Sequence, residues 1–149
     1  MKTRWLLLAA LSLLGPGALA QKRGNVSEPL EVHPKVFHLV DSWVSDSEAP
    51  VVTEINLDAV KADGNQFNRD DVKKDGDWLR CDDAETHGFF RYRVVQASGN
   101  TYKVEYQENG GGSLTTAALI GCAIERREIR MDGKPVTIRV LRITSFATK

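Results

Sequence analysis

Only two cysteines, Cys81 and Cys122, occur among the 149 residues, and neither belongs to a C-x-x-C pair. Thioredoxin-like redox chemistry therefore has no residues to work with. Histidine is scarce as well, with His33, His38 and His87 making up the full set. The chain has no G-x-S-x-G, no H-E-x-x-H and no glycine-rich phosphate loop followed by lysine, so the common hydrolase, zinc-protease and nucleotide-binding signatures are missing. An excess of one charge is missing too, because 20 basic residues face 20 acidic ones. Without a polycationic field, nucleic acid is not an expected partner. Long apolar runs are confined to the N-terminus, where residues 5–14 fall well short of the roughly 20 needed to cross a bilayer. No transmembrane segment is expected.

What the N-terminus does contain is ordered. Lys2 and Arg4 precede the apolar run, Gly15-Pro16-Gly17 ends it, and the small-residue triplet Ala18-Leu19-Ala20 follows. Charged, apolar and A-x-A regions in that order predict a secretory signal peptide over residues 1–20, with cleavage before Gln21. The expected location is secreted or periplasmic. No cysteine follows the cleavage site and no apolar tail closes the chain, so no lipid anchor is expected. Residues 1–20 hold two of the basic residues and no acidic one, so their removal leaves a net charge of −2. In an oxidising compartment the two cysteines are expected to form a disulfide, Cys81–Cys122.

Residues 21–35 are polar, contain Pro29 and Pro34, and have no period; they read as a flexible arm. Asn25-Val26-Ser27 within it matches the N-glycosylation acceptor. Residues 36–149 read as a single β-rich domain, because from Val36 onward the dominant period is two. A first apolar run covers Val36 to Val44. In the second, Val51, Thr53, Ile55, Leu57 and Ala59 alternate with polar residues and predict a half-buried strand. Residues 61–77 are rich in Asp, Lys, Asn and Gly and predict a long polar connection, with a turn of helix near Asn68.

Two hairpins are written into the rest of the chain. The β-rich runs 89–95 and 101–106 flank Ser98-Gly99-Asn100, and Gly and Asn accept the positive φ that tight turns need. Asp132-Gly133 forms a second two-residue turn that places Ile129 opposite Val136 and Pro135 at a non-hydrogen-bonded position. Between them, residues 114–124 fit a central strand better than a helix capped by Ser113. The apolar alternation of Val136, Ile138 and Val140 changes parity at Leu141 and Ile143, which predicts a bulge or burial on both faces. Together these signals give a mostly β fold of roughly six to nine strands, a small antiparallel β-sandwich or barrel with one short helix as an option.

Two groups of residues are candidates for chemistry. Asp82, Asp83, Glu85 and His87 offer carboxylates and an imidazole within a short loop, a candidate metal or acid/base site. Arg91, Arg93, Tyr102 and Lys103 belong to a hairpin rich in aromatic and basic residues, with Arg91 and Arg93 on the face of Phe89 and Tyr92 on the other. Such a surface binds sugars, acidic peptides or a partner protein by stacking and charge. The acidic stretch with Asp70, Asp71, Asp75 and Asp77 lacks the order of a calcium loop and contains Lys73 and Lys74, so it reads as a solvated connection.

Ser98-Gly99-Asn100-Thr101-Tyr102 resembles the S-G-x-x-Y loop of periplasmic C-type lysozyme inhibitors, which are small exported β-barrels. The likeness covers five residues on a turn that Ser-Gly-Asn forms in any case, and it assigns the chain to no family. The sequence thus predicts a non-catalytic binding or interaction module, with an unknown protein, an envelope component or a small ligand as its partner and no cofactor expected. The alternative is a small metal-dependent or hydrolytic enzyme centred on residues 82–87.

Overall fold

The computed structural model describes residues 28–40, 52–62, 64–65, 67 and 71–149. The expected signal peptide, the glycosylation tripeptide and the helical turn near Asn68 lie outside the described residues. Within them the chain forms helix α1 (Lys35–His38), strand β1 (Glu54–Asn56), helix α2 (Leu57–Val60) and strands β2 (Val72–Asp75) and β3 (Trp78–Asp82). Strands β4 (Phe89–Ser98), β5 (Thr101–Asn109), β6 (Thr115–Met131) and β7 (Lys134–Thr148) follow.

The expectation of a mostly β, antiparallel fold holds. The strands make one seven-stranded sheet in the order β1-β7-β6-β5-β4-β3-β2, in which each neighbour is antiparallel. From β2 to β7 the sheet is a meander of successive hairpins, and β1 adds to the far edge through Ile55 opposite Leu141. It is a single sheet with β1 and β2 at its edges, rather than two packed sheets.

Both turns fall where their residues place them. Gly99 and Gly133 have positive φ, as does Asp132, and Ile129 pairs with Val136 while Pro135 sits beside Arg130. Residues 114–124 lie largely within β6. Val140 and Leu141 are adjacent and both buried, so the parity change reflects burial on both faces. The irregularity in that ladder lies further along, where the partner of Gly121 is Ser145 and that of Cys122 is Ile143.

Residues 72–75, read from the sequence as part of a polar connection, form the edge strand β2 because pairing with β3 tolerates their exposed, charged side chains, and two apolar runs depart from the period-two expectation. The first holds α1, which starts after Pro34 and buries Val36 and Phe37, with Val40 buried just beyond it. Those positions are spaced i, i+1, i+4, which makes one helical stripe. In the second, the strand stops at Asn56, whose side chain accepts hydrogen bonds from the backbone N–H groups of Asp58 (3.0 Å) and Ala59 (3.1 Å). That N-cap turns the chain into α2 and ends the alternation.

The core lies between one face of the sheet and the segment 28–40. Tyr92, Tyr102, Val104, Tyr106 and Ile120 supply the sheet side, and Leu30, Val32, Val36, Phe37 and Val40 cover them. Residues 28–35, read from the sequence as the inner part of a flexible arm, thus carry Leu30, Val32, His33 and Pro34 into the interior. Phe37 packs edge-on against Tyr92, with ring centroids 4.9 Å apart. This arrangement frees the opposite face of strands β3 to β5 to carry the polar and cationic side chains.

The expected disulfide is absent: Cys81 and Cys122 are both free and fully buried. Cys81 lies on β3 and Cys122 on β6, with β4 and β5 between them. Three interstrand steps span about 14 Å along a sheet, beyond the roughly 7 Å within which two Cα atoms can be bridged. They also stand on different rungs, because Cys81 aligns through Phe90 and Glu108 with Thr116, not with Cys122.

Candidate functional site

The outer face of β3, β4 and β5 is built by strand alternation. The register sets Arg80 beside Arg91, Arg91 beside Gln107 and Arg93 beside Glu105, all directed away from the core. Trp78 and Phe89 share that face. Arg91 lies over both rings, 4.5 Å from the Trp78 centroid and 5.0 Å from that of Phe89. Arg93 stacks on Trp78 at 4.8 Å and Arg80 on Phe89 at 4.4 Å. The result is a ladder of three guanidinium groups held against two aromatic rings, an arrangement that arginine's planar cation favours.

The ladder is also fixed by hydrogen bonds. Arg91 donates from Nε (3.0 Å) and Nη2 (2.6 Å) to the side-chain oxygen of Gln107. Arg93 donates from Nε and Nη2 to one oxygen of Glu105. The other Glu105 oxygen accepts from Lys149 Nζ at 2.7 Å. Hydrogen bonds from Lys149 and then Arg93 hold the Glu105 carboxyl below the usual glutamate range. Arg80 pairs with Asp82 at 2.7 Å. Two cations therefore share one acid at Glu105, Arg91 is bonded to a neutral amide, and Lys103 stands exposed on the same face. The surface carries a net positive charge although the chain does not.

The four binding candidates predicted from the sequence divide between the two faces. Arg91, Arg93 and Lys103 lie together on the outer face. Tyr102 faces the core, where its hydroxyl donates to the Glu28 carbonyl at 2.6 Å. The same tyrosine closes one wall of a cleft of about 480 Å³ formed with Leu30, Leu79, Val94 and Ala97. The turn motif Ser98-Gly99-Asn100-Thr101 is a plain hairpin connection, tied back by Asn100 Nδ2 donating to the Ile124 carbonyl at 2.9 Å.

The acidic loop is placed differently. Asp82 is committed to Arg80 and lies 3.5 Å from Lys73, and the Arg80 hydrogen bond holds its carboxyl below the usual range. Asp83 Oδ1 accepts the backbone N–H of Glu85 at 3.0 Å, which shapes the loop and keeps this carboxyl low as well. Glu85 and His87 are exposed, and His87 has a positive φ. These four side chains are not brought together as a ligand set. Among the described residues, the group whose donor atoms all lie within 4.8 Å of one another is His33, Asp71 and Cys81.

That cluster joins three parts of the chain: His33 precedes α1, Asp71 precedes β2, and Cys81 is on β3. His33 Nε2 lies 2.8 Å from Asp71 Oδ1, and its Nδ1 accepts the Lys35 N–H at 3.2 Å. Burial pushes the Cys81 thiol up to about 11, so it is protonated and a poor nucleophile at neutral pH. No spacing in the sequence points to this set, because its members are far apart in the chain and meet only where the segment before α1 crosses the β2–β3 edge.

Compared with known proteins, the chain matches no family model, no curated protein and no solved structure. Among the described residues, no helix is long and apolar enough to cross a membrane.

Proposed function

We propose that the chain is an exported, non-catalytic binding domain that holds an acidic segment of a partner protein against the outer face of β3, β4 and β5. The observation that carries this reading is Arg91, stacked on Trp78 and Phe89 and hydrogen-bonded to the neutral Gln107. A guanidinium so held has lost its rotamer freedom before binding and keeps its charge uncompensated by its hydrogen-bond partner. A carboxylate can then dock with little further ordering of the protein side. Arg93 and Lys103 extend the positive strip, and Trp78 and Phe89 offer apolar edges to the partner's side chains. Export rests on the ordered charged, apolar and small-residue pattern of residues 1–20.

The test is fluorescence polarisation with a labelled peptide rich in Glu and Tyr. Saturable binding that weakens with salt is expected, and Arg91→Ala is expected to weaken it at least tenfold. Arg142→Ala serves as the comparison, because Arg142 lies on β7 and pairs with Glu125. Equal losses in the two variants would reduce the binding to general charge attraction and overturn the reading, as would the absence of saturable binding to the wild type.

A further inference from the structure

The His33–Asp71–Cys81 cluster has no place in the binding face. His33 and Cys81 are almost wholly buried, whereas the Asp71 side chain is about half exposed. The three residues meet where the segment leading into α1 crosses the β2–β3 edge, and they present one nitrogen, one oxygen and one sulfur within 4.8 Å. Cys81 by itself packs as a small apolar residue, and what sets the place apart is the buried imidazole of His33 beside it, paired with the half-exposed Asp71 carboxylate. The donor set is the mixed soft and borderline one that zinc accepts, and three protein ligands leave a fourth position open on the Asp71 side.

We propose that His33, Asp71 and Cys81 bind one zinc-class divalent ion that clamps the α1 segment to the β2–β3 edge. Coordination replaces the proton that now lies between His33 Nε2 and Asp71. The ring proton passes through solvent exchange to Nδ1, which gives up the long Lys35 contact. The Cys81 thiol loses its proton to solvent as sulfur joins the metal. Nothing is oxidised or reduced, and one proton is released in all. The ion's charge offsets the desolvation that keeps the metal-free thiol protonated.

The experiment uses the full-length protein, stripped of metal under reducing conditions and titrated with cobalt(II). A thiolate-to-cobalt absorption band that saturates at about one equivalent is expected. It should vanish in Cys81→Ser and persist in Cys122→Ser, whose thiol is buried elsewhere in the sheet. His33→Gln and Asp71→Asn should each weaken cobalt binding at least tenfold, with circular dichroism confirming the fold of each variant. Should Cys81→Ser fail to fold, cadmium NMR on the wild-type protein replaces it, because the metal's chemical shift distinguishes one sulfur ligand from none. A wild-type protein without the cobalt band, a band that follows Cys122, or a cadmium shift without sulfur would overturn the proposal. The polarisation assay on the outer face is independent of these results.

Discussion

The Tyr92 hydroxyl lies 2.9 Å from the carbonyl oxygen of Leu30, to which it donates, and accepts the N–H of Val32 at 3.1 Å. Strand β4 and the N-terminal segment, some sixty residues apart in the chain, are thereby stitched together in a fully buried place. The contact makes residues 28–33 part of the folded domain and so fixes His33 near Cys81.

Tyr92→Phe removes one oxygen and leaves the Leu30 carbonyl and the Val32 N–H short of a partner. The expected loss is about 1–3 kcal/mol, the penalty for stranded buried polar groups. Urea denaturation measures it, and hydrogen exchange at the Val32 amide should accelerate more than at amides of β6. Tyr102→Phe should have a smaller effect, because its acceptor belongs to the exposed Glu28.

Glu105 should contribute stability that depends on acid. Its folded pKa lies below the ordinary value, so the contribution is present above that value and is lost as pH falls through the folded one. Glu105→Gln is expected to cost about 1–2 kcal/mol at neutral pH and to flatten the decline in melting temperature below about pH 4.5.

His38 behaves in the opposite sense. Its Nδ1 lies 2.8 Å from Glu108 Oε2, and this hydrogen bond raises its pKa above 6.5. The pair's contribution is complete below that value and is lost as pH rises through the raised pKa. Proton NMR should find the His38 midpoint above that of an unfolded control, and Glu108→Gln should return it toward 6.5. An unchanged midpoint in that variant would remove Glu108 as the cause.

Both thiols are buried, and burial raises that of Cys122 to about 12. In the presence of a chelator, Ellman's reagent should therefore react slowly with the native protein and count two thiols once it is unfolded. A count of zero after unfolding without reductant would restore the disulfide.

Much of the fold is legible in the sequence because it is local. Gly99, Asp132 and Gly133 dictate their turns, and the period-two alternation of β4 is enough to set Arg91 and Arg93 on the face of Phe89. The departures from expectation also have local causes. Val36, Phe37 and Val40 carry a helical spacing that the neighbouring apolar residues obscure, and Asn56 followed by Asp58 is a cap that the alternation of residues 51–59 masks.

By itself the sequence determined the hairpins at Gly99-Asn100 and Asp132-Gly133, the Ile129–Val136 pairing and the chemical character of the β4 faces, since these depend on residues a few positions apart, whereas β2 lay hidden in residues that read as a polar connection. Tertiary structure alone decided that residues 28–40 fill the core, that Cys81 and Cys122 stand on separate strands, and that Cys81 meets His33 and Asp71. Those outcomes depend on which strand edge each distant segment reaches, and a spacing in sequence carries no information about that.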